Sequence, residues 1–189
     1  ALNCPPVEPE WYLVLANTLV QHSDYVKDPR EDLEQAFTIL RQTLYIPEIV
    51  NPDGPKQPRY ANVRGGSMQL LVEAAVLLQE TALSDEEKEH YLKIAEDFGR
   101  EISETVGRDE NRSKVIDGML AMGRGDREKA VSLLYEVYEG IKTANKDIIV
   151  PDVAWKLFMV LRGTSYHERS LEFAKEGIQG GLATPRKLL

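Results

Sequence analysis

The sequence predicts an all-α fold made of antiparallel helical hairpins, and three observations lead to this prediction. Apolar residues recur with the 3.6-residue period of a helix along almost the whole chain, and this period fits better than the alternation of a strand. Turns that contain Pro or Gly separate the periodic segments, as expected between antiparallel neighbours. The single β-branched run, Ile148-Ile149-Val150, precedes Pro151, which favours entry into a helix.

The size and composition of the chain favour one folded domain that covers residues 1–189. Of its 189 residues, 42% are hydrophobic and 29% are charged, which suffices to bury a core. The net charge of −8 argues against nucleic acid or an anionic membrane as the main partner. The single cysteine cannot form an internal disulfide, and three scattered histidines predict no metal cluster and no cofactor.

No apolar run approaches the roughly 18 residues of a membrane span, so the sequence predicts no membrane insertion. No basic region followed by an apolar stretch stands at the start of the chain. A cytoplasmic location is therefore the default expectation. The chain begins with Ala1 rather than Met, and a processed N-terminus would change that expectation.

The first hairpin is predicted over residues 9–46. Its first helix begins near Pro9 and ends before Asp28-Pro29, with one apolar face formed by Trp11, Val14, Leu15, Leu19 and His22. In its second helix the apolar stripe consists of Leu33, Ala36, Phe37, Leu40 and Leu44.

Residues 47–66 are predicted to form a loop, because prolines and glycines are too frequent there for a regular element. The loop is locally cationic, and Arg64-Gly65-Gly66-Ser67 leads into a predicted helix N-terminus, where exposed amides favour an anion. The candidate anion or partner site consists of Lys56, Arg59, Tyr60, Arg64, Gly65 and Gly66. The alternative is an ordered proline-rich crossover between two hairpins.

The second hairpin is predicted over residues 67–106. Ser67 is the predicted N-cap of its first helix, which is apolar nearly all round and should be the most buried helix. Ser84 and Glu87 have the spacing of a capping box and open the second helix. The third and fourth hairpins are predicted over residues 111–144 and 151–179, which brings the total to about eight helices.

The third hairpin carries small residues at specific places. Gly118, the Gly125-Asp126 turn, Ala130 and Leu134 have the spacing of the tetratricopeptide repeat (TPR), and residues 115–130 resemble that family. Asp85 precedes Asp126 by 41 residues and Ser170 follows Ala130 by 40, whereas the family period is about 34. The resemblance implies a degenerate array, stacked as a short right-handed solenoid. Another kind of helical-hairpin solenoid remains an alternative.

The resemblance also implies binding rather than catalysis, by a scaffold or adaptor that holds a partner peptide or helix in its concave groove. The positions that would face the groove are Arg112, Val115, Met119 and Met122 in the third hairpin, and Asp152, Trp155, Met159 and Arg162 in the fourth. Methionine and tryptophan form an adaptable apolar surface, and arginine can hold a carboxylate through two hydrogen bonds. In the alternative interpretation, Met and Trp at helical spacing belong to the core.

Two other functions remain open from the sequence, namely a regulatory or effector domain of a larger protein and an all-helical enzyme. His22, His90 and His167 each lack a Ser, a Cys or paired carboxylates at a spacing known from nucleophiles or metal sites. No phosphate-binding loop motif occurs. We therefore expect a non-catalytic protein with a protein or peptide partner, whose oligomeric state the sequence leaves open.

Overall fold

The computed structural model describes residues 8–24, 26–46, 49, 58–105, 110–144, 151–162 and 166–179. All regular structure in these ranges is helical, which confirms the predicted all-α class for this part of the chain. The helices are α1 (Pro9–Ser23), α2 (Arg30–Leu44), α3 (Pro58–Glu80), α4 (Asp85–Thr105), α5 (Glu110–Gly123), α6 (Arg127–Ala144), α7 (Pro151–Leu161) and α8 (His167–Gln179).

The chain divides into two compact units, Ala1–Val106 and Gly107–Leu189, and the single domain over residues 1–189 stays a prediction. In the first unit α1 packs on α2, α3 packs on α4, and α2 joins the two hairpins through α3. In the second unit α5 pairs with α6, α7 pairs with α8, and α6 packs on α7. The four predicted hairpins are therefore present, while the continuity and handedness of a single array stay a prediction.

Helix α1 buries a different face from the predicted one. Ala16 and Val20 are buried, whereas Trp11, Val14 and Leu15 of the predicted stripe are 65%, 54% and 49% exposed. The small Ala16 allows close packing of α1 against its neighbours, and this close approach decides which side faces inward. The larger side chains of the predicted stripe therefore lie on the surface of α1.

Helix α3 begins at Pro58 rather than at Ser67, so the predicted loop is wrong over residues 58–66. Gly65 and Ser67 are buried inside the helix. A Cβ atom at Gly66 would lie 3.0 Å from Leu13 Cδ2. Gly66 therefore lets α1 approach α3 closely, and the glycine pair does not break the helix. Of the predicted loop, residues 47, 48 and 50–57 lie outside the described residues.

The predicted start of α4 is confirmed by its hydrogen bonds. The Glu87 amide donates to Ser84 Oγ over 3.2 Å, and the Leu83 amide donates to Glu87 Oε2 over 2.8 Å. Glu87 also accepts hydrogen bonds from the Arg30 guanidinium at the start of α2. The N-terminus of α4 is thus tied to the first hairpin by an ion pair between different helices.

This ion pair makes the stability depend on pH. Hydrogen bonds from Arg30 hold the pKa of the Glu87 carboxyl below its usual 4.5. The stabilisation is therefore fully present above pH 4.5 and is lost as the pH falls through the lowered pKa. We expect Glu87→Gln to destabilise the protein at neutral pH, with a difference from wild type that shrinks in acid. Urea unfolding of both proteins at neutral and acidic pH measures this difference.

The neighbouring Glu86→Gln is the matched control, because Glu86 is exposed in the same first turn of α4. It should change the free energy of unfolding little at either pH. A deficit of Glu87→Gln that stays constant from neutral to acidic pH would contradict the assigned ion pair.

The α5–α6 hairpin shows the close packing that the repeat resemblance implies. Ala130 and Leu134 are fully buried, and a Cβ atom at Gly118 would lie 2.9 Å from Leu134 Cγ. Gly125 in the turn has a φ of +77°, which glycine adopts at low cost. Asp126 Oδ1 then accepts a hydrogen bond of 3.1 Å from the Lys129 amide and caps α6.

Ala130→Leu should therefore overpack the hairpin. Ala130 is 0% exposed at the crossing of the two helices, and added methylenes in such a site cost about 1 to 3 kcal/mol. Thermal unfolding monitored by circular dichroism measures the loss. Ala144→Leu, at the exposed end of the same helix, serves as the control. An unchanged melting temperature for Ala130→Leu would argue against this helix crossing.

Candidate partner-binding site

An open cleft of about 520 Å³ lies in the second unit, where side chains from α6, α7 and α8 converge. Its floor is apolar and consists of Val131 from α6, Leu157, Val160 and Leu161 from α7, and Phe173 from α8. Its rim carries Arg127, Glu128, Ser132 and Tyr135 from α6, and Tyr166 and Arg169 from the start of the last hairpin helix. The cleft therefore combines an apolar floor with a polar edge.

The floor is held firmly because most of its residues also belong to the core. Leu157, Val160, Leu161 and Phe173 are each less than 10% exposed. Helix α7 supplies three of the floor residues because it is apolar on nearly every side, with Asp152 and Lys156 as its charged residues. The bottom of the cleft is thus a fixed surface of packed side chains.

An aromatic wall links the floor to the rim. The Tyr135 ring stacks on Tyr138 with a centroid distance of 6.2 Å and meets the edge of Phe173 at 6.4 Å. The Arg169 guanidinium lies 4.7 Å from the centroid of the Tyr135 ring, within the range of a cation–π interaction. A hydrogen bond to the Glu139 carboxylate raises the pKa of the Tyr135 hydroxyl.

A polar cluster of side chains from α6 and α8 holds these two helices together. Tyr138 donates a hydrogen bond to Glu176, and Lys142 Nζ lies 3.2 Å from the other oxygen of that carboxylate. Burial raises the pKa of the Tyr138 hydroxyl, and the hydrogen bond to Glu176 adds to the effect. Because Arg169 and Phe173 lie on α8, this cluster also sets their position beside α6.

The rim carries more positive than negative charge, on a chain whose net charge is −8. Arg127 and Arg169 lie there with the single carboxylate of Glu128, and all three side chains are exposed. Tyr166 is 60% exposed at the same rim. The cleft is therefore suited to a ligand with apolar anchors and a negative charge.

The groove positions predicted from the repeat resemblance do not line this cleft. Val115, Met119 and Met159 are 5%, 2% and 7% exposed, so they pack in the interior of the second unit. Arg112, Met122 and Trp155 are half-buried, and Asp152 and Arg162 are exposed. The Trp155 ring packs on Phe158 with a centroid distance of 4.9 Å. A groove formed by the five accessible residues stays a prediction.

Asp152 has a structural partner on its own helix. Its Oδ1 atom accepts a hydrogen bond of 2.6 Å from Lys156 Nζ, and the Lys156 side chain is only 2% exposed. The carboxylate therefore compensates a buried ammonium group, which would be costly to leave without it.

We expect Asp152→Ala to lower the free energy of unfolding by about 1 to 2 kcal/mol, because it takes this carboxylate away from a buried charge. Lys156→Met should be neutral or stabilising, since it removes the buried charge and keeps the apolar bulk. The double variant should recover the stability that Asp152→Ala loses. Urea unfolding of the three variants measures these differences, and equal losses for both single variants would contradict the interpretation.

The described part of the predicted anion site, residues 58–66, lies in helix α3 rather than in a loop. Gly65 and Gly66 lie inside α3, so their amides are not those of a helix N-terminus, and that part of the prediction is wrong. Arg64 Nη2 donates to Glu101 Oε1 over 3.0 Å. Arg59 and Tyr60 lie in the first turn of α3, and Lys56 lies outside the described residues. A partner role for these three residues stays a prediction.

The described ranges hold neither a metal site nor a membrane-spanning helix. They contain no cluster of three or more His, Cys, Asp or Glu side chains that could hold a metal ion. None of their helices has the length and apolar character needed to cross a membrane. His22 Nδ1 lies 2.7 Å from Asp32 Oδ2. This histidine therefore has a structural role, as a contact between α1 and α2.

Sequence reasoning missed the polar residues of the cleft, above all Tyr135, Tyr166 and Arg169. Arg169 lies four residues before Phe173, so the sequence contains a helical pair of a cation and an aromatic ring. Nothing in the local sequence indicates that Tyr135 of α6 meets this pair. The contact depends on the packing of α8 against α6.

Comparison with known proteins yields one structural likeness. No protein-family model and no curated protein sequence matches the chain. Among solved structures, a thermophilic TPR protein of Thermus thermophilus is similar, with 15% sequence identity, coverage of 93% of each chain and a TM-score of 0.46. At this identity and TM-score the likeness does not establish membership of the family.

Proposed function

We propose that the chain is a non-catalytic protein-interaction scaffold, which docks an apolar and acidic segment of a partner protein in the cleft of α6, α7 and α8. The observation that carries the proposal is an open cleft with an apolar floor and a cationic rim. Helical hairpins suit this role because their packed cores keep an exposed surface rigid.

The composition of the cleft supports a protein partner. Tyr and Arg are enriched among the residues that dominate binding energy at interfaces, and Tyr135, Tyr166 and Arg169 stand at this rim. The rigid floor limits the conformational entropy that is lost when a partner binds. Exposed arginines add electrostatic attraction for an acidic segment, so we expect the affinity to fall modestly as the salt concentration rises.

Affinity capture from the source cell with three forms of the full chain tests the proposal. Ser132→Arg with Tyr166→Ala changes two accessible residues of the rim, and the new arginine obstructs the cleft. Trp155→Ala with Arg162→Ala changes the predicted groove and leaves the cleft lining intact. The same protein should be captured by the wild type and by the groove variant, and lost from the cleft variant.

Thermal unfolding of both variants provides the control, since only a folded variant reports on binding. Capture of the same partner by the cleft variant, with loss from the groove variant, would move the site to the predicted groove. Turnover of a small molecule by the purified chain, without any captured partner, would contradict the scaffold function.

A further inference from the structure

We infer that the segment bound in the cleft is an amphipathic α-helix of the partner, with a carboxylate beside its apolar stripe. This inference rests on the proposed function and specifies the class of partner for the same site. It follows from the hydrogen-bonding capacity, the shape and the charge of the cleft.

The hydrogen-bonding capacity of the cleft disfavours an extended segment. Its walls are helices, whose backbone groups are paired within each helix except in the terminal turns. No strand occurs in the described ranges, so these ranges offer no sheet edge to which a peptide could add. Since buried amide and carbonyl groups need partners, a segment without such an edge is best accommodated as a helix, which pairs its own backbone.

The shape of the cleft also fits a helix. Its lining comes in pairs four residues apart, which stand one helical turn from each other: Val131 with Tyr135, Leu157 with Leu161, and Arg169 with Phe173. Such rows form ridges with grooves between them. A helix laid over the cleft along these ridges would present its own apolar residues at i, i+3 or i+4, and i+7.

The positive charge of the rim indicates where a carboxylate of the partner would bind. Arg169 is held over the ring of Tyr135 at 4.7 Å, so its guanidinium is already oriented at the wall of the cleft. Arg127 begins α6 at the same rim, where the positive end of the helix dipole adds to its charge. An Asp or Glu of the partner beside its apolar stripe would face these cations.

Selection from a displayed library of random peptides tests the inference without knowledge of the partner. Peptides of about 16 residues, long enough for roughly four helical turns, are selected on the full chain. Binders that the Ser132→Arg and Tyr166→Ala double variant fails to retain are then synthesised. We expect these binders to share the apolar stripe of a helix together with an Asp or Glu.

Two substitutions sharpen the test. A proline at the centre of the synthetic peptide should weaken binding about tenfold or more, because it breaks the helix. Arg169→Glu in the protein should weaken binding by a similar factor of about ten, since it reverses the charge that faces the carboxylate. Arg100→Glu makes the same change in charge on α4, outside the cleft, and should leave the affinity unchanged.

The outcomes separate the inference from the proposed function. Cleft-dependent binders with an alternating or proline-rich pattern, unaffected by the central proline, would overturn the helix and leave docking in the cleft intact. A library that yields no cleft-dependent binder would contradict both. Equal effects of Arg169→Glu and Arg100→Glu would overturn the carboxylate contact alone.

Discussion

Phe173→Ala is expected to lower the free energy of unfolding by about 3 to 5 kcal/mol, the range found when a buried aromatic side chain is truncated. Phe173 is 6% exposed, and its ring meets those of Tyr138 at 5.2 Å and Tyr135 at 6.4 Å in edge contacts. The substitution therefore removes apolar burial and two aromatic contacts together. Urea unfolding monitored by circular dichroism measures the loss.

Phe173→Leu keeps part of the apolar volume and should lose less stability than Phe173→Ala. Tyr45→Ala is the control for truncation of an aromatic residue on the surface, because Tyr45 is 74% exposed. A cost below about 1 kcal/mol for Phe173→Ala, as is usual for surface positions, would show that the floor of the cleft is not packed as described.

Gly118→Leu is expected to cost about 3 kcal/mol, at the upper end of the overpacking range. The first added carbon would already lie 2.9 Å from Leu134 Cγ and 3.1 Å from Leu134 Cδ2. Leu134 is fully buried and has little space into which it can move. The melting temperature and urea unfolding of the variant measure the loss.

Gly140→Leu provides the matched control within α6. A Cβ atom there would meet no atom within 4 Å, so this substitution should gain up to about 1 kcal/mol from helix propensity. Opposite signs for the two glycines are the expected result. A tolerated Gly118→Leu would contradict the close crossing of α5 and α6.

The features predicted correctly are mostly those whose determinants lie close together in the sequence. Ser84 and Glu87 stand three residues apart, and their hydrogen bonds form inside one turn of helix. The Gly125-Asp126 turn is equally local, since the positive φ and the helix cap come from adjacent residues. Hairpin pairing follows from such short connections between amphipathic helices.

The features predicted wrongly depend on contacts between distant residues. The choice between the Trp11 face and the Ala16 face of α1 is made by packing on other helices, which the period of one helix cannot reveal. The Gly65-Gly66 pair has the composition of a helix break, yet Gly66 lies against Leu13 of α1 inside a continuous helix. Only the tertiary contact distinguishes the two uses of glycine.

The cleft is hidden from sequence analysis for a related reason. Its lining comes from three helices and is spread over residues 127–173, and each helix shows the spacing of ordinary core residues. Met119 and Val131 both belong to apolar stripes with helical spacing. Met119 is nevertheless buried, whereas Val131 is half-exposed at the cleft. Helical periodicity identifies an apolar face but does not show which part of it another helix covers.

Methyl NMR spectra of the full chain, recorded with and without a captured partner or a selected peptide, test docking in the cleft most directly. Methyl groups line the cleft at Val131, which is half-exposed, and at Leu161, which is buried in the floor, whereas those of Val14 and Leu15 lie on the exposed face of α1. We expect the resonances of Val131 and Leu161 to shift on binding while those of Val14 and Leu15 stay in place. Shifts confined to Val14 and Leu15 would contradict docking in the cleft and place the partner on α1.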